Sequence, residues 1–254
     1  MNKISVVIPT LQKNPLFLKD LLHSLEHDDA VSEIIVIDNS CRGLDFCSEK
    51  LKVIIPDTNI YVNPAWNLGV QEAQEEIVAL LNDDICIPDD FCSAVAKQMT
   101  PTMGILGMAR DFVQNISPSS PYYATPPPSA VHLEPAPYIA YNYGIAMFFH
   151  KSAFVEIPDK ILIWYGDCWI FEKARKLGRQ NYFISGVQIQ HCTSSTSKSF
   201  ISSPLHKNDR KYYKKLMYNF FNRLFRFRRT AEGYEIVFLR INWGTIKIRS
   251  TDTQ

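Results

Sequence analysis

Two adjacent carboxylates, Asp83 and Asp84, follow a continuous apolar run that has the length of a strand, Ile77–Leu81. A buried parallel strand has such a run, and ligands of open α/β sheets bind beyond the carboxyl ends of these strands. Neighbouring acids repel each other, and a bound divalent metal would relieve that repulsion, because no cationic residue lies near them in the sequence. A solvated turn is the alternative, since Asn and Asp are frequent in turns. This feature alone leaves both interpretations open.

Polar residues also follow two other predicted strands. Pro9 and Thr10 come after the apolar strand at 3–8, and Asp38 comes after the one at 33–37. In a doubly wound sheet the carboxyl ends of such strands lie at one edge, where ligands bind. We therefore expect these residues and the Asp83–Asp84 pair to face one crevice.

The elements that must position these residues alternate between strands and helices. Apolar spacing predicts helices at 14–27, 63–75 and 88–99, with strands before and between them. This order predicts the α/β class, with a single doubly wound, mostly parallel sheet and helices on both faces. Seven prolines between 117 and 137 predict a long irregular loop. Beyond the loop we expect short strands at 145–149, 181–184 and 187–190 and a helix at 166–177.

Composition sets the broad class. The 254 residues are 46% hydrophobic and 21% charged, as in ordinary globular domains. No apolar run approaches the roughly 20 residues of a membrane span, and the chain starts directly on a strand pattern. The six cysteines form no CxxC pair, which suits reduced thiols. We therefore expect a cytoplasmic protein.

Charge separates the C-terminal segment 205–254 from the rest of the chain. It holds 12 Lys and Arg against 4 Asp and Glu, a net charge of +8, whereas residues 1–204 carry −7. We therefore predict a domain over 1–204 and a basic, aromatic extension over 205–254, helical at 206–229 and ending in a hairpin. Packing on the main domain is the first interpretation of this helix, peripheral membrane contact through 206–229 the second, and no nucleic acid partner is expected.

The strand-end motifs together resemble the family 2 type of GT-A glycosyltransferases, which use nucleotide sugars. They occur in the family's order over roughly residues 3–200, and seven in order are far more specific than one. The matching segments are Ile4–Thr10, Glu33–Ser40, Asn59 through Asn67–Gly69, Leu81–Asp84, Gly144–Phe149, Tyr165–Asp167, and His191 with Ser195.

The resemblance implies a nucleotide-sugar half at 1–100 and an acceptor half at 101–204. It implies Mn²⁺ or Mg²⁺ as cofactor and a nucleotide-diphosphate sugar donor, with UDP or dTDP favoured. It assigns residues to the donor and to the metal as follows: Pro9, Thr10, Asp38, Asn67 and Asp83 would bind the nucleotide donor, and Asp84 and His191 would bind the metal.

The resemblance also implies an inverting reaction with Asp167 as the general base, acting on a hydroxyl of a glycan acceptor. Helix capping is the alternative role for Asp167. Trp164 and Tyr165 would stack on an acceptor sugar or belong to the core. The chain departs from the family where Gly166 replaces a Glu and where Tyr61 stands at a position often held by Gly.

A third departure is Asn82, which replaces the first acid of the family's Asp-x-Asp signature and lowers the negative charge of the site. Two other functions remain as alternatives. A sugar-nucleotide pyrophosphorylase shares the layered sheet, but it needs a Gly-rich loop after the first strand, and no glycine precedes Gly43. A non-catalytic nucleotide- or glycan-binding relative fits the departures at Tyr61, Asn82 and Gly166.

Overall fold

The computed structural model describes residues 2–117, 130–136, 143–192 and 203–217, together with three strands between 225 and 247. The chain forms two compact units, residues 1–209 and 210–254, so the first unit extends beyond the boundary predicted at residue 204. In the described residues, no helix is long and apolar enough to cross a membrane.

The described elements follow in an alternating order. The helices are α1 (Pro15–His27), α2 (Val62–Glu72), α3 (Phe91–Ala96), α4 (Gly166–Lys176) and α5 (Pro204–Met217). The strands are β1 (Ile4–Thr10), β2 (Val31–Asp38), β3 (Leu51–Ile54), β4 (Ile77–Leu81), β5 (Ile85–Cys86), β6 (Leu106–Met108), β7 (Val113–Ile116), β8 (His132–Pro135), β9 (Ala146–His150), β10 (Tyr182–Ser185), β11 (Ile189–Cys192), β12 (Phe225–Thr230), β13 (Gly233–Phe238) and β14 (Ile241–Lys247).

An eight-stranded sheet forms the centre of the first unit, in the order β3-β2-β1-β4-β9-β6-β10-β8. Strands β1 to β4 are parallel neighbours, whereas β9 runs antiparallel between β4 and β6. Every residue of β1 and β4 is buried, as the continuous apolar runs predict. The predicted fold class is confirmed.

Helices cover both faces of this sheet. Alternate residues of a strand point to opposite faces. Val6 and Ile8 belong to the core cluster that contains the apolar stripe of α1 and the buried residues of α3. On the other face, Gly69 of α2 lies so close to Val7 that an added Cβ would be 2.1 Å from a Val7 methyl carbon. The glycine therefore allows α2 to pack directly on β1.

Strand β8 is a difference from the sequence prediction, because it lies inside the segment expected to be an irregular loop. It pairs antiparallel with β10 at the edge of the sheet, and Pro135 is its last residue. A proline is tolerated there, since an edge strand leaves one row of N–H groups unpaired. The middle of the predicted loop lies outside the described residues.

The second unit contains the part of α5 after Asp209 and a three-stranded antiparallel sheet in the order β12-β13-β14. The helix predicted over 206–229 is wrong in its second part, because α5 is described only to Met217 and 225–230 is a strand. The alternation Phe225-Arg226-Phe227-Arg228 has the two-residue period of a strand rather than a helical period.

Candidate active site

The carboxyl ends of β1, β2 and β4 bring the first group of predicted residues together. In the strand register Thr10 lies opposite Asp38, and the Thr10 hydroxyl donates a 2.5 Å hydrogen bond to Asp83 Oδ2. Burial raises the pKa of Asp83 to about 6; the hydrogen bond from Thr10 opposes this shift, and the neighbouring charge of Asp84 adds to it. A cation or a hydrogen-bond donor beside Asp83 would therefore stabilise its ionised form.

Asp38 organises the loop that follows β2. Its Oδ1 accepts hydrogen bonds from the Ser40 N–H and hydroxyl, at 3.0 and 2.6 Å, and its Oδ2 accepts from the N–H groups of Arg42 and Gly43, at 3.1 and 2.8 Å. Burial acts to raise the pKa of Asp38, but hydrogen bonds, including those from Ser40, Gln12 and Gly43, outweigh it and lower the pKa. A nucleobase N–H would have to displace one of these donors, and the Ser40 hydroxyl is the one that can rotate away.

Asn39 ties the next loop to the same edge. Its Oδ1 accepts from the Ile60 N–H at 3.0 Å, and Asn59 Oδ1 accepts from the Tyr61 N–H at 2.8 Å. Tyr61 has φ +70° and ψ 177°, a region that glycine occupies almost alone. The backbone at this departure from the family therefore keeps the glycine conformation while carrying a tyrosine side chain.

Asp84 and His191 form the second group. Strand β11 pairs with β5 so that His191 lies opposite Ile85, and the N–H of Cys192 donates to the Asp84 carbonyl at 2.8 Å. His191 Nε2 lies 3.3 Å from Asp84 Oδ1. That oxygen is buried, and among the described residues it has no partner in hydrogen-bond geometry.

This pair fits a divalent metal. Two adjacent ligands of an octahedral ion, each about 2.1 Å from it, lie about 3 Å apart. His191 Nδ1 is 3.3 Å from Asn115 Oδ1, which favours the tautomer that donates from Nδ1 and keeps the Nε2 lone pair free. No group of three or more His, Cys, Asp or Glu side chains in the described ranges could hold a metal. Water and phosphate oxygens are common further ligands of Mg²⁺ in proteins.

Asp167 lies in the first turn of α4, after Tyr165 at the N-cap, and its Oδ1 accepts from the Cys168 N–H at 2.8 Å. An added Cβ on Gly144 would lie 3.6 Å from Asp167 Oδ2, so that oxygen is close to the Gly144 backbone. The next residue, Ile145, accepts a 3.0 Å hydrogen bond from the N–H of Asn82. Gly144 and Ile145 thus connect the Asp167 position to the Asp83–Asp84 turn, the first by contact and the second by a hydrogen bond.

Gly166 has a steric reason to replace the family's Glu. An added Cβ would lie 2.0 Å from Asn63 Oδ1, and Asn63 is fully buried. Beyond Asp167, burial and then the Asp167 charge raise the pKa of the Cys168 thiol well above its ordinary value. The Cys168 thiol therefore stays protonated near neutral pH.

Asn67 is held differently from the other predicted donor residues. Its Nδ2 donates to the Ile157 carbonyl at 2.7 Å, and its Oδ1 accepts from the Ile157 N–H at 3.0 Å. Both ends of the amide are thus engaged with the backbone. The structure gives Asn67 a role in joining α2 to the segment before α4, and its donor-binding role stays a prediction.

Trp164 and Tyr165 contact a residue that sequence reasoning did not select, His206 of α5. Asp209, one turn further along that helix, accepts hydrogen bonds from the segment before α4. A signal for Asp209 was present, since it is the one acidic residue between 205 and 231 in a strongly basic segment.

The fold and this edge of the sheet define a GT-A type protein, and comparison with known proteins agrees. The family model for glycosyl transferase family 2 matches residues 5–175, two thirds of the chain. The chain belongs to glycosyl transferase family 2. The family match favours a transferase over the pyrophosphorylase alternative. No curated protein matches the chain significantly by sequence.

Solved structures share the fold at low identity. S. aureus TarS 1-349 is 16% identical, with a TM-score of 0.53 over 75% of this chain and 60% of that one. The mannosyltransferase PcManGT from Pyrobaculum calidifontis, in complex with GDP-Man and Mn²⁺, is 15% identical, with a TM-score of 0.52 over 76% and 57%. GalNAc-T7, with UDP, GalNAc and Mn²⁺, is 13% identical, with a TM-score of 0.57 over 85% and 48%. In these three alignments this chain covers at most 60% of the other chain.

Proposed function

We propose that this protein is a metal-dependent, inverting glycosyltransferase that moves a sugar from a nucleotide-diphosphate donor to a hydroxyl of a glycan. The observation that carries the proposal is that His191 of β11 lies 3.3 Å from Asp84, on the turn to which the Asp167 position is linked. Donor handling and proton removal would thus lie at one edge of the sheet.

The donor half would use the residues at the ends of β1, β2 and β4. Thr10 and Asp83 form one hydrogen-bonded pair, and Asp38 holds the adjoining loop ready to receive a nucleoside. Structural relatives contain UDP, UDP-GlcNAc or GDP-Man. A UDP or dTDP sugar is our preferred donor.

The acceptor half would supply the base. Asp167 would take the proton of the acceptor hydroxyl while the hydroxyl oxygen attacks the anomeric carbon. The new C–O bond would form as the bond from that carbon to the diphosphate oxygen breaks, with inversion. A Mn²⁺ or Mg²⁺ ion held by Asp84 and His191 would stabilise the negative charge of the departing diphosphate. Trp164 and Tyr165 would orient the acceptor sugar.

Donor hydrolysis tests this function, because water can replace the unknown acceptor. UDP-, dTDP- and GDP-sugars are incubated with the protein in Mn²⁺, Mg²⁺ or EDTA, and release of nucleoside diphosphate is measured. We expect release with a UDP or dTDP sugar that stops in EDTA. Asp167→Asn should lower turnover by about 10²–10⁴-fold at unchanged donor affinity, whereas Asp159→Asn, at an exposed site, should not.

Two outcomes would contradict the proposal. Release of nucleoside diphosphate in EDTA at the rate measured with Mn²⁺ would remove Asp84 and His191 from the mechanism. UDP binding without release under any condition would support the non-catalytic relative instead.

A further inference from the structure

Helix α5 begins at the acceptor half of the site and starts with strong local signals. Pro204 is its first residue, and the Ser203 hydroxyl accepts a 3.2 Å hydrogen bond from the His206 N–H. Serine before a helix and proline at its first position both favour helix initiation. Local interactions therefore fix the start of α5.

Asp209 in the second turn is fully buried and holds the backbone of another segment. Its Oδ1 accepts from the Leu162 N–H at 3.1 Å, and its Oδ2 accepts from the N–H groups of Ile163 and Trp164 at 2.9 and 3.0 Å. Three N–H donors compensate a buried carboxylate well, because hydrogen bonds to an ionised acceptor are the strong ones.

The same segment is held from its opposite side by α2. Asn63 Nδ2 donates to the Ile161 carbonyl at 2.9 Å, and the Asn63 N–H donates to the Leu162 carbonyl at 2.9 Å. Residues 161–164, which we name the anchor segment, thus have carbonyls bound by one helix and N–H groups bound by another. Tyr165 follows with φ +67°, a conformation that persists only where the surroundings impose it.

His206 fixes the side chains that follow the anchor segment. Its ring stacks on Tyr165 at 5.7 Å and meets the edge of Trp164 at 5.3 Å, and its Nε2 lies 3.3 Å from the Tyr165 hydroxyl. Asp167 is only two residues beyond Tyr165. Helix α5 therefore controls both the backbone and the rings that precede the proposed base.

We propose that Asp209 and His206 are positioning residues for the transfer reaction, acting through the anchor segment on Asp167, Trp164 and Tyr165. The proposal rests on the proposed role of Asp167 as the base. Neither residue is proposed to touch the reacting atoms. Their loss should therefore lower kcat and leave donor binding intact, because misplacement of a reacting group by about 1 Å lowers the rate about 10²-fold.

The test compares full-length wild type with Asp209→Asn, His206→Ala and the exposed neighbour Asn208→Ala. Hydrogen–deuterium exchange of peptides covering 161–167, kcat and KM for donor hydrolysis with Mn²⁺, and thermal melting are measured for each. We expect Asp209→Asn to speed exchange in 161–167, to lower kcat about 10- to 100-fold and to leave the donor KM within about twofold. His206→Ala should lower kcat less, and Asn208→Ala should match wild type.

Each alternative outcome is decisive. Faster exchange with unchanged kcat, or unchanged exchange, would overturn the proposal, and so would a rise in donor KM equal to the fall in kcat/KM. If Asp209→Asn does not fold, wild-type kcat in His206→Ala overturns it. A wild type without turnover contradicts the proposed function and with it the catalytic role, while the exchange result still decides whether Asp209 anchors the segment.

Discussion

Single residues in strained conformations surround the candidate site. In the described part of the chain, four non-glycine residues have positive φ, namely Gln12, Cys41, Tyr61 and Tyr165. Each follows a strand of the donor edge or precedes a helix that faces the site. Such strain persists only where the surrounding contacts impose it, and it clusters at functional positions.

Replacing Tyr61 by glycine should raise the free energy of unfolding relative to Tyr61→Ala. Both variants remove the side chain, but only glycine adopts φ +70° and ψ 177° without strain. The strain is worth about 1–3 kcal/mol, and the extra freedom of glycine in the unfolded chain takes back about 0.5–1 kcal/mol. Urea denaturation measures the difference; a lower midpoint for Tyr61→Gly than for Tyr61→Ala would show that the backbone at 61 is not strained.

Asp38→Asn should destabilise the protein by about 1–3 kcal/mol at pH 7, because an amide NH₂ would face the N–H groups that now donate to the carboxylate. The lowered pKa of Asp38 sets the pH dependence of this difference. The ionised group stabilises the fold above its unfolded pKa of about 3.8, and that contribution is lost as the pH falls through the lower folded pKa. Denaturation of both proteins at pH 7 and pH 3, with exposed Asp45→Asn as control, should show the gap closing at low pH. A gap that widens would contradict it.

At the scale of elements, strand order explains which site residues the sequence could predict. Thr10, Asp38 and Asp83 follow three apolar runs that become neighbouring parallel strands, so their meeting was predictable from periodicity. The first unit also contains a three-stranded sheet in the order β5-β11-β7. The sequence did not predict this sheet, because strands of two to four residues carry little pattern. His191 could be named from the family motif, but its contact with Asn115 depends on that sheet.

The pairing of β11 with β5 brings His191 close to Asp84, and this contact leads to a prediction about metal binding. Asp84→Ala should abolish the Mn²⁺-dependent part of UDP binding and leave the fold intact, because the site would retain His191 alone. Isothermal titration with UDP, with and without Mn²⁺, measures this, and exposed Asp90→Ala serves as the control. Mn²⁺-dependent binding equal to wild type would remove Asp84 from the metal site.

At the scale of the molecule, the charge difference between 1–204 and 205–254 indicated a separate C-terminal extension. The boundary that it gave lies before Asp209. Net charge reports the average of a segment, whereas Asp209 acts as a single buried acceptor inside a basic helix. Membrane contact through 206–229 and a cytoplasmic location stay predictions. The fold class followed from periodicity, and the attachment of α5 required coordinates because it depends on one side chain meeting backbone distant in sequence.

Truncation at two positions separates the role of α5 from that of the small C-terminal sheet. A fragment 1–217 keeps α5, and a fragment 1–204 loses His206 and Asp209. We expect 1–217 to unfold cooperatively and to bind UDP as the full chain does. Fragment 1–204 should be less stable than 1–217 by at least about 3 kcal/mol, since three hydrogen bonds to a carboxylate each contribute about 1 kcal/mol or more. Equal urea midpoints for the two fragments would show that α5 adds nothing to the main unit, and the basic segment would then have to act elsewhere, with salt-sensitive binding to anionic vesicles as the measurement that follows.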